Sequence, residues 1–389
     1  MRIGLLVDVY KPFMSGVTNF VAQHKRALEV LGHEVFVFTL GHQDYRDDEP
    51  HVYRSPAIPV TETGYQFGFV YSRQARQMVE TMDVLHTQHP YISGLLAVTY
   101  GQRHDIPVIF TNHTRYDQVT RLYLPGLASG LSDTLMEAYL PWFTGHCAAV
   151  TAPTQAVRRV LRDYGVTVRI PVIPNGVELE AFRNPLHRRT RAELGLPQES
   201  VVSIYVGRMA PEKNLSFLLR AFARVHQKLP RARLLLVGYG PEERDLRDLA
   251  QELGIAQAAV FAGRVSYEQV SDYLALADLF VTASVIEGQP LSIIEGLAAG
   301  LPAVAIESDA VADTLQDGYN SLLAAYNNED LALKWATALS EQTLRARLAA
   351  GAQESSQRYD VHRTAAQMVV LYDEVVLAHR ASASARGRR

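Results

Sequence analysis

Ser284–Gly300 reads SVIEGQPLSIIEGLAAG and sets two glutamates, Glu287 and Glu295, eight positions apart. Gly288-Gln289-Pro290 between them is turn chemistry, and the apolar and small residues that follow suit a helix. Pro290 fits a first helical turn, where its missing N–H would lack a partner anyway. Gly300 followed by Pro302 ends the helix. Glu287 is therefore expected on a loop just before a helix N-terminus, and Glu295 about a turn and a half inside. A carboxylate on a helix of Ile, Leu and Ala requires a partner. One reading is structural: Glu287 caps the helix and Glu295 is a buried, paired acid. The other is a ligand site. The strand-like run Leu279 to Ala283 leads straight into this turn, and open α/β sheets bind ligands at the carboxyl ends of their strands.

Outward from this stretch, strand-like and helical segments alternate. In the second half the strands are Val201–Val206, Arg233–Val237, Val260–Ala262, Leu279–Ala283 and Pro302–Ile306, with helices such as Leu215–Lys228 and Glu242–Leu253 between them. In the first half they are Ile3–Val9, Glu34–Leu40, Asp83–Thr87, Pro107–Asn112 and Ala148–Pro153, with Val172–Pro174 as a further short candidate. Such alternation predicts parallel sheets covered on both faces, with the strand-end loops of each on one side. The expected organisation is an N-terminal Rossmann-like domain over 1–180, a linker over 181–198 and a second Rossmann-like domain over 199–358. A helix over 359–380 and a disordered basic tail over 381–389 follow. A short basic helix, Arg188–Leu196, is expected within the linker.

The chain has 389 residues, enough for two cores. Its 48% hydrophobic and 20% charged content is that of an ordinary globular protein, and a net charge of −3 argues against a nucleic-acid binder. The single cysteine, Cys147, lies in an apolar run and rules out a disulfide framework or a multi-cysteine zinc site. No run reaches the roughly 20 apolar residues that span a bilayer, and Asp8 breaks the N-terminal apolar run too early for a signal peptide. A cytoplasmic protein is expected, with peripheral contact to the inner membrane face left open.

After the strand Val201–Val206 comes Gly207-Arg208-Met209-Ala210-Pro211-Glu212-Lys213-Asn214. Arg supplies a planar fork of donors and Lys a compact positive charge, both on a loop leading into a helix start that itself favours anions. Taken alone, these are two solvated bases on a loop. With the strand–Glu287–Glu295–helix pattern downstream, the chain resembles the retaining GT-B glycosyltransferases. This segment matches their G-R-x-x-x-E-K-G and the glutamate pair their E-x7-E. The resemblance covers nearly the whole chain. It implies two Rossmann-like domains facing across a cleft, an acceptor-binding domain first and a nucleotide-sugar-binding domain second, with the final helix crossing back onto the first. It implies a donor site of Gly16, Arg208, Lys213, Gly238, Gly240, Arg264, Val265, Glu287, Gly288, Gln289, Pro290, Leu291, Ser292 and Glu295. Within it Glu295 would bond the ribose hydroxyls and Glu287 face the sugar. Asn214 stands where the family has Gly, Gly296 where it prefers Ala, and Ser308-Asp309 where it prefers Gly-Gly.

In the first half, Gly16 on the loop after strand one permits close backbone approach of a phosphate or sugar. His113, on the loop after Pro107–Asn112, resembles the family's histidine near the reacting bond, and with Arg208, Lys213 and Glu287 completes the expected catalytic set. His89, Tyr116, Arg121 and Tyr123 are expected on the acceptor side, and His86 in a structural role. The sequence P-F-M-S-G-V around Gly16, and His113-Thr114 followed by Tyr116 and Tyr123, resemble the subset acting on diacylglycerol. The apolar stretch Arg121–Phe143 is either core or a lipid-touching path. The implied reaction moves a hexose, glucose first, from a UDP-sugar to a lipid hydroxyl with retention, without cofactor or bound metal. The alternative is a GDP-mannose-dependent enzyme acting on phosphatidylinositol or a soluble glycan. A non-catalytic sugar-nucleotide sensor is disfavoured, because a sensor has no need to stabilise leaving-group charge.

Overall fold

The computed structural model describes residues 1–13, 15–59, 66–115, 129–187 and 189–386. The chain divides into two units, Met1–Gly176 with Val361–Arg389, and Val177–Asp360.

The first unit is built on β1 (Arg2–Leu6), β2 (Glu34–Leu40) and β3 (Val52–Ser55). A small antiparallel pair follows, β4 (Ile58–Pro59) with β5 (Gln66–Phe67). Then come β6 (Val84–Thr87), β7 (Val108–Thr111) and β8 (Ala149–Thr151). The main sheet is parallel, in the order β3-β2-β1-β6-β7-β8. The order reverses between β1 and β6, the switch point at which doubly wound sheets open toward ligands.

Val35 to Leu40 of β2 are all buried, as a parallel strand covered on both faces requires. On one face Ile3, Leu5 and Val7 pack with Phe20 and Leu28 of the helix Gly16–Val30 and with Met368 and Tyr372 of the helix Val361–Arg386. On the other, Leu6, Phe36 and Phe38 pack with Tyr100 and Phe143.

The second unit repeats the plan with β9 (Val201–Val206), β10 (Ala232–Val237), β11 (Ala259–Gly263), β12 (Leu279–Thr282), β13 (Ala303–Ile306) and β14 (Ser321–Ala324). Its parallel sheet has the order β11-β10-β9-β12-β13-β14, with the switch between β9 and β12.

Several elements depart from the sequence reading. The edge strands β3 and β14 were not expected; β3 is half polar and β14 is four residues long, so neither carries a clear apolar run. Val172 forms a single bridge to Ala152 rather than a strand. Residues expected as linker belong to the second unit. Phe182, from that expected linker, and Leu179, expected in the first domain, lie in the second unit's core on the helix Leu179–Arg183. The expected basic helix contracts to a 3-10 turn, Arg191–Leu194, pinned by Arg191 to Asp278 at 3.0 Å and to the Leu276 and Ser200 carbonyls. The last helix continues to Arg386, through a tail expected to lack structure. Its Ala residues favour helix, and the Ser382 and Ser384 hydroxyls donate to the Ala378 and Arg380 carbonyls one turn back.

Candidate functional site

In the second unit, the loops after β9, β10 and β11 are drawn together by glycine. Gly207 has φ +156° and Gly238 φ +134°. A Cβ on Gly238 would lie 1.9 Å from the Gly207 carbonyl oxygen, and one on Gly240 2.2 Å from that of Met209. Only residues without a side chain permit this approach. The gain is backbone pairing beyond the strands: Met209 N–H donates to Tyr239 at 2.9 Å, and Gly238 N–H to Gly263 at 2.9 Å. Arg264, beyond β11, lies over the Tyr239 ring at 4.8 Å.

The loop after β9 carries the cations. Arg208 is more than half exposed and reaches Glu212 at 2.7 Å. Lys213 ends the 3-10 turn Pro211–Lys213 and donates to Glu287 at 2.5 Å, with the two side chains only 20% and 17% exposed. The loop after β12 thus meets the loop after β9 through an ion pair. Ser284, donating to the Glu212 carbonyl at 3.2 Å, adds a second tie. Asn214 adopts the left-handed conformation (φ +54°), which Asn tolerates and where the resembled family has Gly. Its amide donates to Tyr326 at 3.1 Å.

The helix after the Glu287 loop is Leu291–Ala298, with Pro290 at its N-cap rather than inside its first turn. The Ile293 and Ile294 N–H groups donate to the Pro290 carbonyl. Gln289 and Pro290 are buried; Glu287, Gly288, Leu291 and Ser292 are partly exposed, and Val265 and Leu291 lean on the core. Glu295 is 5% exposed and accepts from the Tyr267 hydroxyl at 3.0 Å. Burial pushes its carboxyl up to about 7, with the Tyr267 bond pulling the other way. Gly296 is explained by Phe280, whose ring would meet an added Cβ at 2.7 Å.

In the first unit, His113 is half-buried after β7. Its Nε2 lies 2.8 Å from Gln88 Oε1, and Phe20 packs against the ring at 4.9 Å. Burial, then the nearby His89 and His24, depresses it to about 3, so the imidazole is neutral at ordinary pH. His89 is buried, and its Nδ1 accepts from the Asp8 N–H at 3.3 Å. Asp8 in turn accepts from the Ser93 N–H at 2.6 Å, at the start of the helix Ile92–His104. His86 is fully buried between Tyr372 (2.7 Å) and Thr111 (2.6 Å), bonded as a structural histidine is. Gly16 is exposed and opens the helix Gly16–Val30, behind the Ser15 cap. Tyr116, Arg121 and Tyr123 lie outside the described residues.

Sequence reasoning missed Gln88 and Tyr267, the partners of His113 and Glu295. Neither carries a spacing or compositional signal.

Two family models match, Glycosyl transferases group 1 over residues 187–355 and Glycosyltransferase Family 4 over residues 14–181. The chain is 31% identical to the alpha-monoglucosyldiacylglycerol synthase of Streptococcus pneumoniae, over 85% of this chain and 77% of that protein. It is 28% identical to the protein of the same name from Acholeplasma laidlawii, over 85% of this chain and 86% of that one. Anabaena Alr3699/HepE, crystallised with UDP, superposes with a TM-score of 0.77 at 19% identity, over 96% of this chain and 100% of that one.

Proposed function

Because the chain belongs to the group 1 glycosyl transferases, in the diacylglycerol glucosyltransferase-like subset of the GT-B fold, we propose that it moves glucose from UDP-glucose to a lipid hydroxyl such as that of diacylglycerol, with retention at the anomeric carbon. The observation that carries this reading is the pairing of Lys213 with Glu287 beside Arg208, on strand-end loops of the second unit. A sugar nucleotide leaves as a diphosphate, so negative charge grows on phosphate oxygens in the transition state. Lys213 and Arg208 are the groups that answer it. Glu287 holds the Lys213 ammonium in place and lies one loop from Glu295. Glu295, as a carboxylate, suits two neighbouring ribose hydroxyls.

In the proposed step the bond from the anomeric carbon to the diphosphate oxygen breaks, and the lipid oxygen bonds the same face. The leaving phosphate takes the hydroxyl proton. Catalysis is then mainly positioning and electrostatic stabilisation, and the reading includes no metal. The relatives' names support glucose and diacylglycerol; the uridine donor is what the sequence resemblance implies. No helix among the described residues is long and apolar enough to cross a membrane. In this reading the lipid is met at an exposed apolar surface. Trp142 (52% exposed) and Leu135 (57%) of the helix Ser129–Thr144, with Tyr91 (41%), are candidates for that contact.

The test is a thermal-shift panel of UDP-glucose, UDP-galactose, UDP-N-acetylglucosamine and GDP-mannose, read beside nucleotide release with and without diacylglycerol micelles. A shift with UDP-glucose and release only with diacylglycerol supports the reading. A shift with GDP-mannose alone, independent of lipid, overturns both donor and acceptor.

A further inference from the structure

Gln88 and His113 stand at the carboxyl ends of adjoining strands, just past β6 and β7. Gln88 is fully buried, and its backbone N–H extends the β1–β6 pairing by donating to Leu6 at 3.0 Å. Its side-chain amide is held at both ends. Nε2 donates to the His86 carbonyl at 3.3 Å, and Oε1 faces His113 Nε2 at 2.8 Å. A reversed amide would set Oε1 against the His86 carbonyl oxygen, two acceptors with no hydrogen between them. The amide therefore has one satisfiable orientation. With an oxygen fixed against it, His113 Nε2 must carry the hydrogen.

We propose that Gln88 is a positioning residue that holds His113 in its Nε2–H tautomer, leaving Nδ1 as the ring's hydrogen-bond acceptor toward substrate. Phe20 packs against the same ring at 4.9 Å, tilted by 56°, so tautomer and orientation are both set before substrate arrives. An imidazole so held accepts from a substrate hydroxyl, whereas the opposite tautomer would donate to it. The His86 carbonyl that orients the amide is itself anchored, since the His86 ring is bonded to Tyr372 and Thr111. This inference rests on the glycosyltransferase reading for the hydroxyl that His113 meets, not for the tautomer itself.

The test uses the full chain labelled with 15N-histidine. Long-range proton–nitrogen spectra distinguish the two neutral tautomers, and the His113 signals are assigned by their loss in His113→Asn. The wild type is expected to show Nε2–H. Gln88→Leu should lose that preference and lower kcat for transfer at least about tenfold, with KM for the donor little changed. Gln88→Glu should restore most of both. A carboxyl keeps an oxygen toward His113 and, when protonated, an O–H toward the His86 carbonyl. An Nδ1–H signal in the wild type overturns the proposal and needs no variant. An unchanged tautomer in folded Gln88→Leu overturns it too, since a merely structural Gln88 would lower the melting temperature without moving the tautomer. If no sugar nucleotide is turned over, the functional reading fails while the wild-type spectrum still decides the tautomer.

Discussion

Lys213→Ala separates the chemistry of the second unit from its stability. In the structure Lys213 bonds Glu287 at 2.5 Å, and both side chains are about four-fifths buried. The Coulomb attraction of such a pair is on the order of several kcal/mol at an effective dielectric near 20, and desolvation of both charges offsets most of it. Removing Lys213 is therefore expected to cost the fold about 1–2 kcal/mol. At roughly 2–4 °C per kcal/mol, melting falls by only a few degrees. The effect on turnover is larger. A preorganised charged donor facing an oxyanion contributes about 3–4 kcal/mol to the transition state, so kcat should fall about 100- to 1000-fold. The assay is nucleotide release with saturating donor and diacylglycerol, beside thermal unfolding of the same preparation. Near-wild-type turnover in a folded variant would refute the diphosphate role. A collapse of melting by tens of degrees would show instead that the ion pair is a structural strut.

Glu295, pushed up to about 7 by burial, should make donor affinity pH-dependent, because the proposed ribose contact needs the carboxylate. KM for the donor should rise as pH falls below 7, and Glu295→Gln should flatten the profile. The stability sign is opposite. The folded state binds this proton more tightly than the unfolded chain, so its stabilising contribution is full at acid pH and is lost as pH rises through about 7. Melting of the wild type against Glu295→Gln between pH 5 and 8 reads that slope. Gly238→Ala would force a Cβ to within 1.9 Å of the Gly207 carbonyl at φ +134°, so a loss of at least about 2 kcal/mol is expected, with donor binding weakened as the two loops part. Tyr372→Phe removes the hydroxyl shared by His86 and His24. It should destabilise by about 1–3 kcal/mol in denaturant melts, and turnover per folded molecule should fall less than in Gln88→Leu, because Thr111 still holds the His86 ring.

The two parallel sheets were legible because buried parallel strands are continuous apolar runs, such as Val201–Val206, which matches β9 to the residue. The short edge strands β3 and β14 were not, since neither carries such a run. Lys213 and Glu287 each stood out by position. Their direct bond did not, because it spans two loops distant in sequence. The run Asp47-Asp48-Glu49 carries no motif that would single it out, yet it neutralises buried cations. Arg54 meets Asp47 at 2.7 Å, and Lys11 meets Asp48 at 2.8 Å and Glu49 at 3.0 Å. A charge run on paper does not reveal which bases fold against it. Gln88 and Tyr267 were invisible for a related reason: a partner that orients another side chain is defined by geometry alone.

The most direct test of the account is the stereochemistry of the product. The chain is incubated with UDP-glucose carbon-13-labelled at the anomeric carbon and diacylglycerol vesicles, and the one-bond carbon–proton coupling at that carbon is read in the extracted lipid. Retention from the α-linked donor predicts an α-glucosyl diacylglycerol, formed by wild type and lost in Lys213→Ala. A β-linked product, or donor turnover that leaves no glucosylated lipid, would contradict the account.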